Sequence, residues 1–412
     1  MSSGPKQRRE RLVVIGNGMA GMRTVEELLK QAPDRYDITV FGDESHGNYN
    51  RILLSPLLSG EKTAEQIMIH DRDWYREQGV RLFAGDPVTQ IRRWRREVAS
   101  NAGRVVPYDR LLLATGSLPF IPPIPGTDLA GVVSFRTIQD VDTMAAAARK
   151  FRHAVVIGGG LLGLEAANGL LRRGMKVTVV HLANHLMERQ LDPTAAALLQ
   201  QSLEARGMRF YLGAMTTELF GSKRVGGIAL KDGTEITADL VVFAAGVRPN
   251  IELAKACGLQ CDRGVLVDDT LQSFDPRVYA VGECVQHRKA TYGLVAPLWD
   301  QARVCANHLA EIGVSRYGGS ELSTQLKVTG VKLFSAGDFA SGESREDLVY
   351  SDPARGVYKR LVLQGNRLAG AVLFGDTDDG GWYFDLIRKN RDIGALRELL
   401  AFGQAVAEPE AA

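Results

Sequence analysis

The sequence is poor in cysteine. Four cysteines in 412 residues are too few for a disulfide framework. No two of them are spaced C-x-x-C or C-x-x-x-x-C, which disfavours a dithiol-mediated disulfide reductase. Cys257 and Cys261 form an isolated C-x-x-x-C pair that no neighbouring pair completes into a metal site. We therefore expect reduced thiols and no bound metal.

Net charge and long apolar runs are also lacking. A formal net charge of +2 argues against a broad electrostatic role on nucleic acid or on an anionic membrane. No apolar run approaches the roughly 18 residues that cross a bilayer. The polar, basic stretch 1–11 does not resemble a secretory signal. The sequence therefore predicts a cytoplasmic protein with neither nucleic acid nor membrane as its partner.

Two glycine fingerprints are the most informative motifs that are present. The first, Gly16-x-Gly18-x-x-Gly21, follows the β-branched run 12–15, and the second, Gly158-x-Gly160-x-x-Gly163, follows the run 154–157. Each pattern predicts a buried strand, a tight turn and a helix whose N-terminus faces a pyrophosphate. Two copies in the same context predict two dinucleotides on one chain, as in flavoproteins that take hydride from a nicotinamide.

Other segments assign the first fingerprint to FAD. The predicted strand 37–41 ends at Asp43-Glu44, just over twenty residues after the glycines, where one of these two acids meets an adenosine ribose. The stretch 108–117 is predicted to form a buried strand followed by a sharp glycine turn, and Thr115-Gly116 in this stretch is expected to pack against the same cofactor. Gly282-Glu283 ends a short strand and holds the ribityl and phosphate region. A flavin then carries the chemistry, and we expect no catalytic side chain.

The order of these segments predicts an α/β fold with two Rossmann-like domains, as in the glutathione-reductase type of flavoprotein, and a small α+β domain. The FAD-binding domain comprises 1–119 and 244–319, and the NAD(P)-binding domain 120–243 is inserted after the proline-rich run 119–125. Alternating strands such as 325–328 and 357–363, with helices at 382–390 and 393–400, predict the third domain at 320–403. Residues 404–412 are predicted to be a disordered tail.

With these motifs in view, nearly the whole chain resembles FAD/NAD flavoproteins of the ferredoxin- and rubredoxin-reductase type. The strings that carry this resemblance are 49–55, 244–250 and 281–284, together with the two fingerprints. Further strings resemble the N-terminal part of assimilatory NAD(P)H nitrite reductase large subunits and nitrate reductase electron-transfer subunits; they are 187–192, 292–298, 326–331, 333–338 and 373–377.

The resemblance implies two sets of cofactor-binding residues. For FAD the set is Gly16, Gly18, Gly21, Asp43 or Glu44, Arg51, Thr115, Gly282 and Glu283. For NADH or NADPH as the electron donor it is Gly158, Gly160, Gly163, Glu165 and His181, with Glu165 near the nicotinamide carboxamide. A first-turn helix acid that interacts with the helix dipole is the alternative for Glu165.

The chain departs from this family pattern in four places. Pro56 follows Ser55 where the family often has a lysine close to the flavin, and Glu283 stands where many members have aspartate. His181 ends the strand 176–180, where a glutamate selects NADH and an arginine selects NADPH. The absence of an adjacent arginine favours NADH, with a solvent-facing histidine as the alternative. No cysteine follows Cys305, so a cysteine-held iron–sulfur or sirohaem centre cannot be built here.

These observations predict an NAD(P)H-dependent FAD reductase that passes electrons to an iron–sulfur or sirohaem protein of nitrite or nitrate assimilation. A ferredoxin or rubredoxin reductase of another pathway is the first alternative, and a flavin-binding regulator without activity is the second. The arginine-rich run 92–96 is interpreted as a solvated hairpin or as a docking patch for an acidic electron carrier. The oligomeric state, the physiological acceptor and the status of the chain as a whole subunit or a module stay open.

Overall fold

The computed structural model describes residues 8–320, 323–326, 328 and 330–409. The chain packs into two units. The first unit contains Met1–Leu53, Thr63–Leu118 and Val247–Ser320, and the second contains Leu54–Lys62, Pro119–Gly246 and Glu321–Ala412. The C-terminal segment thus packs with the inserted nucleotide-binding domain. The segment Leu54–Lys62, which the sequence pattern places in the first domain, packs with the second unit.

A five-stranded parallel sheet forms the centre of the first unit. Its strands, in spatial order, are Val278–Ala280, Arg110–Leu113, Glu10–Ile15, Tyr36–Gly42 and Arg81–Ala84. In the central strand, residues 12–15 are apolar and buried on both faces, as in parallel strands between helices. Ile15 pairs with Phe41 on one side and with Leu113 on the other. This register brings the residues that follow three strands to one edge of the sheet.

Smaller elements surround that sheet in the first unit. The helices are Met19–Gln31, Ala64–Ile67, Arg72–Glu77, Glu252–Ala256 and Val295–Leu309, with a 3₁₀ turn at Arg51–Leu53. The remaining strands are Asn48–Tyr49 with Met68–His70; Val88–Arg92, Glu97–Ser100 and Val105–Pro107; and Val265–Val267, Val285–His287 and Ala290–Thr291. Strands Ser117–Pro119 and Val247–Pro249 lie where the chain crosses between the units.

The arginine-rich run lies at the turn of an antiparallel hairpin in this unit, and Trp94 there is 94% exposed. Arg92 pairs with Glu97 at 2.9 Å and Arg93 with Asp275 at 2.9 Å. Two of the four arginines of the run therefore have partners within the first unit.

The second unit is built around another five-stranded parallel sheet. Its spatial order is Val132–Ser134, Leu240–Phe243, His153–Ile157, Lys176–Val180 and Arg209–Tyr211. Helices Leu54–Ser59, Ile138–Lys150, Leu161–Arg172 and Pro193–Glu204 and the antiparallel strands Thr216–Gly221, Val225–Leu230 and Glu235–Thr237 complete this part.

Complementary shape explains why Leu54–Lys62 packs with the second unit. Leu58 is fully buried against Gly169 of helix Leu161–Arg172, where a Cβ would lie only 2.6 Å from Leu58 Cγ. The Arg173 guanidinium donates to the carbonyls of Leu57 and Leu58. A glycine in the long helix thus accommodates the leucine of the short one.

The C-terminal part of the second unit is an antiparallel sheet covered by a helix. The strands, in spatial order, are Ser323–Gln325, Leu333–Gly337, Arg367–Phe374, Val357–Gln364 and Arg345–Asp352, and the helix is Gly380–Arg388. The predicted strand 325–328 includes Lys327, which lies outside the described residues. Tyr358 Oη donates to Asp192 Oδ1 at 3.2 Å, which ties this sheet to the start of helix Pro193–Glu204.

The end of the described chain is ordered, contrary to the expectation of a disordered tail from residue 404. After 3₁₀ turns at Gly394–Leu396 and Leu400–Phe402, a short helix spans Gln404–Ala407. Trp382 Nε1 donates to Glu408 at 2.9 Å, and Arg391 pairs with the same carboxylate at 2.5 Å. These contacts supply the burial and pairing that composition alone does not reveal.

Across residues 8–320, 323–326, 328 and 330–409, no helix combines the length and the apolarity needed to cross a bilayer. Within the same ranges, no cluster of three histidine, cysteine or acidic side chains has metal-binding geometry.

Candidate dinucleotide-binding sites

The first fingerprint forms the turn between strand Glu10–Ile15 and helix Met19–Gln31. Gly16 has φ +111°, and a Cβ there would overlap the carbonyl oxygen of Ala114 on the neighbouring strand's end. A Cβ on Gly21 would lie 2.9 Å from the Gly16 oxygen. The first and third glycines are therefore required by backbone packing.

Gly18, the middle glycine, has a different environment. A Cβ at this position would meet nothing within 4 Å, and Gly18 is the N-cap of the helix without any side chain to cap it. Open space in front of an uncapped helix N-terminus suits an anionic ligand such as a pyrophosphate. This geometry fits the dinucleotide that the sequence predicts.

The second fingerprint repeats this construction in the other unit. Gly158 has φ +124°, and a Cβ there would overlap the Ala244 carbonyl oxygen. A Cβ on Gly163 would overlap the Gly158 oxygen, whereas one on Gly160 would meet nothing within 4 Å. Gly160 is also the uncapped N-cap of its helix, Leu161–Arg172. The two turns are therefore equally suited to a pyrophosphate.

The acids after strand Tyr36–Gly42 lie beside the first turn. Asn17 Nδ2 donates to the His46 carbonyl at 3.2 Å, which holds the acidic loop against the fingerprint. Glu44 accepts from Tyr49 Oη at 2.8 Å and pairs with Arg51. Asp43 is exposed, and its Oδ1 accepts from the Glu44 backbone N–H at 3.0 Å.

Arg51 therefore belongs to a hydrogen-bonded cluster with Glu44 and Tyr49. Its Nη1 donates to Tyr49 Oη at 2.7 Å. Burial by itself lowers the pKa of Arg51, but Tyr49 and Glu44 outweigh it, so the net shift is upward. The guanidinium therefore stays charged within this cluster.

Thr115, Gly282 and Glu283 meet at the same sheet edge, as the strand register requires. Thr115 Oγ1 donates to the Asn250 carbonyl at 2.7 Å, and Glu283 accepts from Ser117 Oγ at 2.7 Å. A Cβ on Gly282, whose φ is +91°, would lie 2.9 Å from Ala20 in the fingerprint helix. The structure thus brings the predicted FAD residues of the two sequence segments together.

Gln301 is a site residue that the sequence pattern did not reveal. It lies on helix Val295–Leu309, is fully buried, and accepts from the Gly282 N–H at 2.7 Å. Its Nε2 has no hydrogen-bond partner among the described residues. A buried amide N–H that has no hydrogen-bond acceptor destabilises the folded protein. A cofactor rich in acceptor oxygens would supply that acceptor. This orphaned donor supports the fit of FAD to the first unit.

In the second unit, Glu165 is held from an unexpected direction. Its carboxylate accepts from Ser55 Oγ, and the two side chains are 7% and 6% exposed. The hydroxyl comes from the helix Leu54–Ser59, so Ser55 takes a partner role although Pro56 replaces the family's lysine. Glu165 is predictable from the fingerprint, but Ser55 is not, because the two residues are 110 positions apart in the sequence.

His181 is not a solvent-facing residue. It is 9% exposed, its Nδ1 accepts from the Gly159 N–H at 3.0 Å, and its Nε2 lies 3.0 Å from Glu188 Oε2. Since Nδ1 accepts a backbone hydrogen bond, the proton of the neutral ring lies on Nε2 and is donated to Glu188. Both ring nitrogens are thus used inside the protein. Glu188, like Gln301 and Ser55, is a site residue that no local sequence pattern indicates.

The thiols of this chain are poorly suited to disulfide chemistry. All four cysteines are free. Burial raises the pKa of Cys261 to about 11 and also raises the pKa of Cys257, Cys284 and Cys305. A thiol with a raised pKa forms little of the reactive thiolate.

Two dinucleotide turns, one in each unit, define an oxidoreductase of the two-nucleotide class. The chain belongs to the pyridine nucleotide-disulphide oxidoreductase family, whose sequence profile matches residues 10–308. Residues 323–391 match the C-terminal domain of rubredoxin NAD+ reductase. The family binds FAD and NAD(P)H, which confirms the predicted cofactors and the class of NAD(P)H-dependent flavoprotein reductase.

Similar proteins agree with this assignment. Nitrite reductase [NAD(P)H] of Bacillus subtilis is 52% identical over 391 residues, and the alignment covers 95% of this chain and 49% of that protein. The assimilatory nitrate reductase electron transfer subunit of the same organism is 44% identical, with 95% and 51% covered. The chain spans about half the length of these curated relatives.

A solved structure of a covalent putidaredoxin reductase–putidaredoxin complex resembles the chain with a TM-score of 0.85 at 26% identity, covering 97% of this chain and 100% of that chain. The expected fold, with two nucleotide-binding domains and a small C-terminal domain, is confirmed.

Proposed function

We propose that the chain is the electron-input part of a nitrite- or nitrate-assimilating reductase. It takes electrons from NADH or NADPH and passes them singly to an iron–sulfur or sirohaem centre on a partner protein. The observation that carries the proposal is the pair of equally built glycine turns, one in each unit. The choice of pathway is supported by the relatives at 52% and 44% identity, each aligned over 95% of the chain.

The first unit holds FAD in this proposal. The Gly16–Gly21 turn receives the pyrophosphate, and Asp43 or Glu44 accepts from the adenosine ribose. The remaining contacts are assigned to Arg51, Thr115, Gly282 and Glu283. The charged Arg51 cluster and the orphaned Gln301 amide are the observations that support this assignment.

The second unit holds the nicotinamide dinucleotide. Gly158, Gly160 and Gly163 form the turn that receives its pyrophosphate. Glu165 is assigned to the nicotinamide end, where Ser55 fixes the direction of the carboxylate. His181 lies at the strand end that faces the adenosine ribose in this fold.

FAD, when bound, accepts a hydride from the nicotinamide and can release electrons one at a time, which no side chain does. The overall reaction converts NAD(P)H and two oxidised one-electron acceptors into NAD(P)+, one proton and two reduced acceptors. The protein contributes by binding and orienting both nucleotides, a matter of proximity more than of acid–base catalysis. We also propose that this reaction takes place in the cytoplasm, where free cysteines stay reduced.

Filling the open space at each turn tests the assignment of the two sites. Gly18→Val and Gly160→Val each add a side chain where a Cβ meets no atom within 4 Å, so both variants are expected to fold. Gly18→Val should purify without flavin. Gly160→Val should retain flavin and show a KM for NAD(P)H raised at least tenfold. The opposite pattern, or equal flavin content in both, contradicts the assignment.

Reduction of the flavin tests the activity itself. In an anaerobic titration of the FAD-loaded protein, NADH or NADPH should bleach the flavin band, and the proposal fails if neither does. The acceptor is then identified by stopped-flow mixing with a sirohaem nitrite reductase polypeptide, a ferredoxin and a rubredoxin. Fastest reoxidation by the sirohaem polypeptide supports the assimilatory role, whereas preference for rubredoxin or ferredoxin supports the alternative of a reductase from another pathway.

A further inference from the structure

The strand end that sets nucleotide preference in this fold carries a histidine instead of an acid. An acid there accepts from the free 2′-hydroxyl of NADH, and a basic residue accommodates the 2′-phosphate of NADPH. In this chain the ring of His181 is buried and committed to Gly159 and Glu188. His181 therefore has no ring nitrogen left to contact the ribose. Instead, its Nε2 donates a hydrogen bond to the carboxylate of Glu188.

We infer that Glu188 replaces the missing strand-end acid and makes the second unit selective for NADH. The inference rests on the proposed function of that unit as the nicotinamide site. His181 links Glu188 to the fingerprint turn by two hydrogen bonds, each 3.0 Å long. The carboxylate thus lies next to the turn that receives the dinucleotide, and its side chain is 37% exposed.

The backbone around Glu188 fixes its place. Leu186 and Met187, which precede Glu188 in the sequence, are completely buried, and Leu191, which follows it, is 1% exposed. The Met187 N–H donates to the Gly159 carbonyl at 3.0 Å, so the segment is also bonded directly to the fingerprint turn. Met187 has φ +52°. This backbone conformation is energetically unfavourable for any residue other than glycine, and it persists only where surrounding contacts impose it.

Gly159 packs directly against His181 and Leu186. A Cβ at this position would lie 2.8 Å from the His181 ring and 2.8 Å from Leu186 Cδ2. The turn therefore has room for the histidine and the leucine only because residue 159 is a glycine. All the parts that position Glu188 come from one unit and contact one another.

Charge gives the expected direction of selectivity. A carboxylate accepts a hydrogen bond from a ribose hydroxyl, whereas a 2′-phosphate at the same place is repelled by the like charge of the carboxylate. Arg189, the next residue, is exposed, and its positive charge would favour the 2′-phosphate of NADPH. Glu188 is the stronger candidate because His181 bonds to it and not to Arg189.

Binding of nucleotide fragments to the FAD-loaded protein tests the inference independently of turnover. Calorimetry with 5′-AMP and 2′,5′-ADP should show at least tenfold tighter binding of 5′-AMP to the wild type. Glu188→Gln should shift this ratio roughly 10- to 100-fold towards 2′,5′-ADP, and Glu188→Arg should invert it. The ratio of kcat/KM for NADH and NADPH should move in the same direction. Glu235→Gln, an exposed glutamate of the same unit, should leave both ratios unchanged.

Three outcomes overturn the inference. One is a wild type that prefers 2′,5′-ADP and loses this preference in Arg189→Gln. Another is a ratio that stays within twofold in both Glu188 variants. If neither fragment nor either nicotinamide dinucleotide binds the wild type, the proposed function of the second unit fails as well, which separates that failure from the other two.

His181 acts as a positioning residue, and paired variants test this role. His181→Gln retains a donor in the direction of Glu188, whereas His181→Ala removes it. Rescue of the 5′-AMP preference by the glutamine supports the role, and equal loss in both variants contradicts it.

Discussion

Removing one hydroxyl should loosen the helix Leu54–Ser59 from the second unit. Ser55 Oγ donates to the Glu165 carboxylate, and both side chains are less than 10% exposed. A hydrogen bond to a charged group contributes about 1.5–3 kcal/mol. Because about 1.4 kcal/mol corresponds to a factor of ten in an equilibrium constant, the amides of the helix should exchange roughly 10- to 100-fold faster in Ser55→Ala.

Hydrogen-exchange mass spectrometry of peptides covering residues 54–59 measures this effect. Ser59→Ala is the matched control, because the Ser59 hydroxyl donates to the Pro56 carbonyl of the same helix at 3.1 Å. Its exchange rates should change by less than about threefold. A double-mutant cycle with Glu165→Gln should give a coupling free energy of at least about 1 kcal/mol. Equal exchange in the two serine variants, or a coupling free energy near zero, would refute the reasoning.

Three further predictions concern stability, flavin content and thiol reactivity. The hydrogen bonds from Arg11 hold the pKa of Asp109 at about 2, so the pair stabilises the fold above pH 4 and this contribution is lost as the pH falls towards 2. Asp109→Asn should therefore lower the urea midpoint at pH 6, with a loss in the free energy of unfolding of about 1–2 kcal/mol after solvent screening. At pH 3 the urea midpoints of the variant and the wild type should differ less. A difference that is the same at both pH values contradicts this prediction. Gly16→Ala should purify with less than a tenth of the wild-type flavin absorbance, because its Cβ overlaps the Ala114 oxygen at positive φ; normal flavin content would show that the turn tolerates it. Cys261, with a pKa of about 11, should react with iodoacetamide more than tenfold slower at pH 8 than a model thiol, and a rate equal to that of glutathione would contradict this.

The sequence was most informative where strands are buried on both faces. The runs 12–15 and 154–157 are continuously apolar and rich in β-branched residues, and the glycines that follow them have a spacing that backbone packing requires. Local pattern and global fold agree at these positions, so strands, turns and helices were predictable there.

Contacts between distant segments were not predictable in the same way. The packing of Leu58 on Gly169 and the bond from Ser55 to Glu165 depend on matching shapes more than a hundred positions apart. Likewise, no local signal marks Glu188 as the partner of His181, since the link requires a turn at Met187 in a conformation that its residue type disfavours. A single sequence reveals periodicity, but not such pairings.

The short helix Leu54–Ser59 limits how the protein can be divided for engineering. A graft that transfers only residues 119–246 to another flavoprotein carries Gly169 without Leu58 and Glu165 without Ser55. It therefore uncovers the helix surface at Gly169 that Leu58 packs against and removes one hydrogen-bond donor from the buried Glu165 carboxylate. A chimaera designed to exchange nucleotide preference needs residues 54–62 from the same parent, so the exchangeable module is discontinuous in sequence.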